Sequence, residues 1–292
     1  MRFASCVKLS RRHGFKLAFS AFSARFLRGE TSGPYDLTRS IPARSPQAPA
    51  GSEFAQSVAQ MDKPQREQAI LAQLRDGNLP GFLRKLVPLK LTCELVGGAT
   101  LAATIFVMPE YLAIGSDRDC LRIPMNLYTA TAVAQQFHFM LPTRKMVDAV
   151  YDQSVARFTP QPLPAGPQMT STEYYSKHNA MIEHQSQVRR LPFGALAAGH
   201  KKDVVLTNRL RSSPGRIAIY GWHRAVGDPI QPLSTVHGAG YADYSHGIRL
   251  VAGMALVEGK MQPVAEILRD PKLARVLSDE GAINLPEAFI GS

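Results

Sequence analysis

The chain has 292 residues, 45% of them hydrophobic and 20% charged, enough apolar material for one large core or two small ones. No uninterrupted apolar run reaches the roughly 18 residues expected of a membrane-crossing helix, and the run Ala99 to Val107, soon followed by Pro109 and Glu110, reads as a buried strand. The net charge is +11, yet residues 1–29 carry seven lysines and arginines and no acid, so +4 is left for residues 30–292. That remainder offers only short pairs such as Arg189-Arg190 and Lys201-Lys202, not the basic stripe of a nucleic-acid binder.

In chain order, residues 1–29 read as a basic, targeting-like leader. Ser10-Arg11-Arg12-His13-Gly14-Phe15-Lys16, followed by the apolar Leu17 to Ala24, resembles a twin-arginine signal peptide. That resemblance implies an exported bacterial protein, periplasmic or extracellular. A mitochondrial-type presequence, an amphipathic surface helix or a leader without a role are the alternatives, and a cytoplasmic protein follows if the signal is not real. Residues 30–52 hold Pro34, Pro42, Pro46 and Pro49 among Ser, Gly and Ala and read as a disordered linker. Residues 53–292 are expected to form a single mixed α+β domain, with N-terminal helices and a C-terminal half rich in short antiparallel strands.

The domain should open with a helix over Pro64 to Asp76, its Ile70, Leu71 and Leu74 on one face and Gly77-Asn78 stopping it. A short helix over Pro80 to Leu86 follows, then two or three strands between Leu89 and Ile114, with Leu121 to Ile123 extending the sheet. Tyr128 to Phe139 is helical in period. Thr143 reads as the N-cap of a helix running to about Phe158, with Met146, Val147, Val150, Tyr151 and Val155 buried. Another helix covers Ser171 to Val188. Short strands are then expected at Phe193–Ala198, Val204–Leu206, Arg216–Tyr220, Ser234–His237 and His246–Val251, and short helices at the end. Of three cysteines, Cys93 and Cys120 read as free buried thiols, with a disulfide left open, and no metal-type spacing is present.

Six of the eight histidines lie between His178 and His246. His178 and His184, six apart on a helix, diverge by about 240° and cannot share a ligand. The densest stretch is Val236-His237-Gly238-Ala239-Gly240-Tyr241-Ala242-Asp243-Tyr244-Ser245-His246-Gly247-Ile248-Arg249, where a short loop can bring His237 and His246 together. Glycines there permit tight turns or close approach to a ligand.

Three chemistries fit these residue types. Zinc held by His237, Asp243 and His246, with His223 or His200 as a further ligand, would lower the pKa of bound water to about 7. A serine hydrolase would use Ser245 as nucleophile, His237 or His223 as base and Asp243 or Asp203 behind it, although no G-x-S-x-G elbow is present. A non-catalytic saccharide or peptide site would use Tyr220, Trp222, Tyr241 and Tyr244 with Asp243 and Arg249. The fourth reading is that these aromatics pack the core and the histidines satisfy backbone groups.

Val236-His237-Gly238 with Ser245-His246-Gly247-Ile248-Arg249-Leu250 resembles the active-site segment of L,D-transpeptidases, without that family's nucleophilic cysteine after the glycine. Thr235-x-His237-x-x-Gly240-x-Ala242-Asp243 resembles the zinc-binding run of D-alanyl-D-alanine metallopeptidases, its aspartate one residue early. The longer run from Lys201-Lys202-Asp203 through Tyr220-Gly221-Trp222-His223 to Tyr244-Ser245-His246-Gly247 is similar to an uncharacterised family of bacterial proteins. The first two resemblances imply an exported hydrolase of amide or peptide bonds in cell-wall material, with His237, Asp243, Ser245 and His246 at its centre, and the third implies no chemistry. Trp222, Tyr241, Tyr244 and Arg249 would hold a small-molecule, peptide or saccharide ligand. A non-catalytic saccharide- or peptide-binding protein, or a structural or partner-binding one, is the alternative.

Overall fold

The structure is a computed structural model that describes residues 36–95 and 97–284. The leader expected over residues 1–29 lies outside the described residues. Residues 36–52, expected as linker, instead pack onto the domain. Ile41 is buried, and Ser40 Oγ donates to the Phe137 carbonyl at 2.6 Å. Arg44 ties the prolines down through the Asn78 side chain at 2.8 Å and the Ala48 carbonyl at 2.6 Å. Composition alone under-reads this segment because one apolar anchor and one guanidinium supply the contacts that its prolines lack.

Helix α1 (Gly51–Ser57) leads to α2 (Lys63–Arg75), where Asp62 accepts from the Gln65 amide at 2.8 Å as N-cap and Gly77, at φ +74°, turns the chain away. Ile70 and Leu74 face the core. A 3₁₀ turn at Gly81–Arg84 precedes the hairpin of β1 (Val87–Glu94) and β2 (Thr100–Val107), paired with Leu89 opposite Ile105 and Leu91 opposite Ala103. In β2 the side chains of Leu101, Ala103, Ile105 and Val107 are buried at every second residue, as a one-sided strand requires. Strands β3 (Ala113–Gly115) and β4 (Cys120–Arg122) form a small pair; Cys93 and Cys120 are free thiols.

Helix α3 (Leu127–Phe137) is capped by Asn126 and closed by His138 in the left-handed conformation, after which comes β5 (Phe139–Met140). Helix α4 (Arg144–Gln153) starts at the Thr143 cap and buries Met146, Val147, Val150 and Tyr151, but it stops earlier than its apolar pattern predicts. Ser154 closes it, its hydroxyl donating to the Val150 carbonyl, and Val155 is exposed beside β6 (Ala156–Arg157). Helix α5 (Thr172–Val188), capped by Ser171, faces Tyr175, His178 and Ile182 inward. Next come β7 (Ala197–Ala198), β8 (Lys202–Val204), α6 (Arg209–Ser212), β9 (Ile219–Ala225) and β10 (Asp228–Ser234). The chain closes with β11 (His246–Gly247), β12 (Val251–Ala252), β13 (Met254–Val257), β14 (Lys260–Pro263), α7 (Val264–Arg269) and α8 (Ala274–Leu277).

The fold is α+β. One sheet runs β14-β13-β2-β12-β5, with β1 on β2, and is antiparallel throughout. The other runs β10-β9-β8-β11, where β8 and β11 are parallel. Segment 248–250 joins the two: the amides of Met108 and Leu112 donate to the carbonyls of Leu250 and Ile248. No described helix is long and apolar enough to cross a membrane.

Candidate functional site

The stretch from Val236 to Ser245 is a loop, not the strand end expected at Ser234–His237; β10 ends at Ser234. Backbone bonds hold it firmly. The Ile217 amide donates to the His237 carbonyl, the Ala239 amide to Gly215, and the Tyr244 amide to Met169. The Tyr175 hydroxyl donates to the Ala242 carbonyl at 3.2 Å. Gly238 and Gly240 are not among the glycines at positive φ, and around Gly240 a Cβ would meet open space. Gly247 is different: a Cβ there would lie 2.6 Å from the Tyr111 ring and 2.9 Å from the Lys201 Cβ. Close approach of backbone to packed side chains is what requires this glycine.

Under the loop sits the cluster. The His237 and His246 ring centroids are 6.2 Å apart, so these two histidines do converge. His237 stacks on Tyr241 at 4.3 Å, and the Tyr241 ring meets His246 edge-on at 5.7 Å. His237 and Tyr241 are half-buried, whereas His246 is fully buried. Both ring nitrogens of His246 lack a hydrogen-bond partner. A buried polar atom without a partner costs roughly 1–3 kcal/mol, and it is where a ligand or water is wanted. Burial pushes the His246 imidazole down to about 4 against the pull of Asp243, so the ring is neutral at pH 7 and presents one N–H and one free nitrogen.

Asp243 is the anchor of the cluster. One carboxylate oxygen accepts from the Ser245 amide at 2.8 Å and the Ser245 hydroxyl at 2.6 Å; the other accepts from the Tyr241 hydroxyl at 3.1 Å. Burial raises its pKa, but His246, Ser245 and Lys202 outweigh that and hold it below the usual range. Ser245 therefore spends its hydroxyl proton on Asp243 and is fully buried. This departs from its expected role as a nucleophile, because the hydroxyl donates to Asp243, a weak base held below the usual carboxylate range, and not to a histidine.

Lys202 was not singled out by itself in the sequence. It is the register partner of His246 across β8 and β11, half-buried, with its ammonium 5.2 Å above the Trp222 ring. Burial lowers its pKa. Trp222 has φ +57°, a conformation that costs a non-glycine residue on the order of 1–3 kcal/mol, and its indole N–H is buried without a partner.

Other expected site residues are placed elsewhere. His223 bonds to Asp148 at 3.1 Å and stacks on Tyr151 at 4.7 Å, beside Tyr220, whose hydroxyl donates to Asp148 at 2.8 Å. His200 bonds through Nε2 to Glu110 at 2.8 Å. Glu110 also pairs with Arg122 at 3.0 Å, and His200 and Arg122 hold its carboxyl ionised against its burial. The expected zinc set of His237, Asp243, His246 and His223 is thus not assembled. His223 belongs to a separate group, Asp243 already accepts three hydrogen bonds, and among the described residues no three His, Cys, Asp or Glu side chains form a group that could hold a metal ion.

Of the expected ligand-holding residues, only Tyr241 is half-exposed; Trp222, Tyr244 and Arg249 are buried. The Tyr244 hydroxyl is taken up by the Leu163 backbone, receiving its amide at 2.7 Å. Arg249 is fully buried, donating to the carbonyls of Met108 at 2.9 Å and Ala197 at 2.6 Å, with its guanidinium 4.4 Å over the Tyr111 ring. Its Nε stands 3.9 Å from Asp203, whose other oxygen accepts from the Tyr111 hydroxyl at 2.8 Å. Burial raises the Asp203 carboxyl to about 6. These are packing roles. An arginine in this sequence context reads as ligand-facing only because sequence does not reveal the carbonyls it satisfies.

No family profile, curated protein or solved structure matches the chain.

Proposed function

We propose that the protein is a hydrolase of amide or peptide bonds and that His246 is its general base. The observation that carries this reading is the neutral, fully buried His246 ring with two unpartnered nitrogens beside a fixed Asp243. The free nitrogen of His246 takes a proton from a water molecule as that water attacks the carbonyl carbon. The same proton then passes to the amide nitrogen as the C–N bond breaks, leaving a carboxylic acid and an amine. Asp243 stabilises the imidazolium formed in between. Lys202, on the same sheet face, faces the negative charge that develops on the carbonyl oxygen. The half-buried His237 and Tyr241 rings lie against His246, so they stand between it and solvent.

The substrate class rests on the local resemblance of 236–250 to enzymes of cell-wall peptides, an analogy that motifs alone carry. The test is product analysis by mass spectrometry after incubating the protein with muropeptides and N-acyl dipeptide amides. Cleavage by the wild type and its loss in a folded His246→Gln variant are expected. Equal cleavage by both proteins sinks the assignment. Binding of uncleaved saccharide or peptide, lost in Tyr241→Ala, would favour the non-catalytic reading, which the half-exposed His237–Tyr241 stack supports.

A further inference from the structure

A cavity of about 250 Å³ opens between the turn before β4, the second half of α5 and residues 191–197. That is room for roughly eight waters at about 30 Å³ each. Its wall combines two chemistries. On one side Phe82 and Phe193 meet edge to face, centroids 4.9 Å apart, with Leu191 also lining the cavity. Phe193 is 69% exposed, so its ring is available to a ligand in the cavity.

On the other side lies Arg122, which is 7% exposed. Its Nε donates to Glu110 at 3.0 Å, and its Nη1 to Glu183 at 2.5 Å and Asn179 at 3.1 Å. Nη2 makes none of these bonds and is not one of the buried atoms that lack a partner, so it is open to the water of the cavity. Glu183 uses one oxygen on Arg122, and Asp117 uses one on the Phe82 amide at 3.1 Å. Four carboxylates and two guanidiniums line the cavity in all, so its side chains carry an excess of negative charge. A purely anionic ligand is repelled by that excess. A purely cationic one makes no use of the open Nη2, and a neutral apolar one engages neither the guanidinium nor the carboxylates.

We propose that this cavity binds a small zwitterion with an apolar substituent, the chemistry of a free amino acid with a large aliphatic or aromatic side chain. The carboxylate pairs with Arg122 Nη2, the ammonium faces Glu183 and Asp117, and the apolar group lies against Phe82, Leu191 and Phe193. The site is independent of the His246 cluster.

Titration calorimetry on the full chain tests it with four probes: L-phenylalanine, L-leucine, phenethylamine without the carboxylate, and hydrocinnamate without the ammonium. Each truncated probe should bind at least about tenfold more weakly than L-phenylalanine, the scale of a lost charge-assisted hydrogen bond. Glu183→Gln, at a half-exposed position, should weaken L-phenylalanine and phenethylamine but not hydrocinnamate. Phe193→Ala should weaken all four. The proposal is overturned by equal affinity for L-phenylalanine and both truncated probes, by unchanged L-phenylalanine affinity in both variants, or by no saturable binding of either amino acid in the millimolar range.

Discussion

Lys202 and His246 are register partners across the parallel pairing of β8 and β11, so their side chains leave the sheet on the same face. The ammonium pushes the imidazole pKa down and Asp243 pulls it up, with burial the larger influence. Two opposite shifts follow. In Lys202→Met the His246 pKa should rise, and in Asp243→Asn it should fall further. Histidine-ring NMR titration reads both. An unmoved His246 in both variants would mean that the three groups do not share one site.

Glycine substitutions separate packing from turn chemistry in the 236–247 stretch. Gly247→Ala would drive a Cβ into the Tyr111 ring and the Lys201 side chain, and a loss of about 1–3 kcal/mol is expected in urea unfolding. Gly240→Ala meets open space without a positive φ and should fall within about 0.5 kcal/mol of wild type. A reversed order would contradict the register assigned to β11.

Arg249 is predicted to be a residue of stability. Arg249→Met removes two bonds to buried carbonyls and leaves Asp203 without its nearest cation. Breaking a buried pair from one side costs about 3–5 kcal/mol. Denaturant unfolding measures it, and a loss under about 1 kcal/mol would contradict the packing role.

Acid should destabilise the fold before its carboxylates titrate. Burial holds His178 down to about 2 and His246 to about 4, and it also lowers His200. Their unfolded pKa is about 6.5. The unfolded chain therefore binds more protons below that pH, so this contribution is complete above about 6.5 and is lost as pH falls toward the folded values. Each group that stays neutral contributes a slope of roughly 1.4 kcal/mol per pH unit in that window. Asp203, raised to about 6, acts in the opposite sense: its share is present at acid pH and lost as pH rises through about 6. Glu67, which burial also raises, acts in the same sense as Asp203. Three histidines outweigh these two carboxyls, so Tm should fall between pH 6.5 and 4.5. A flat Tm over that range would contradict the buried neutral histidines.

Much of the framework was legible in the sequence because its signals are local. Thr143 is the N-cap its sequence predicts, and the apolar run ending at Val107 is a strand, although its one-sided burial shows only in the structure. The α+β class followed from the mixture of these elements. The convergence of His237 and His246 was also legible, since only the eight residues of a short loop lie between them. What escaped depends on contacts distant in sequence. Lys202 matters only through its pairing with His246, and His223 is removed from the cluster by Asp148, 75 residues away. Ser245 looks like a nucleophile until its bond to Asp243 is seen. The order of residues 36–52 rests on Arg44 reaching Asn78 and Gly115, which composition does not encode.

The most direct measurement of the central claim is the pH dependence of kcat/KM for amide cleavage, recorded in parallel with the emission of Trp222, the single tryptophan, so that unfolding is separated from titration. The rate should stay level on acidification through pH 6.5 for as long as Trp222 emission is native, and then fall as His246 takes up a proton near its depressed value of about 4. A rate that halves near pH 6.5 with Trp222 emission unchanged, or one that persists in His246→Gln, would contradict His246 as the base.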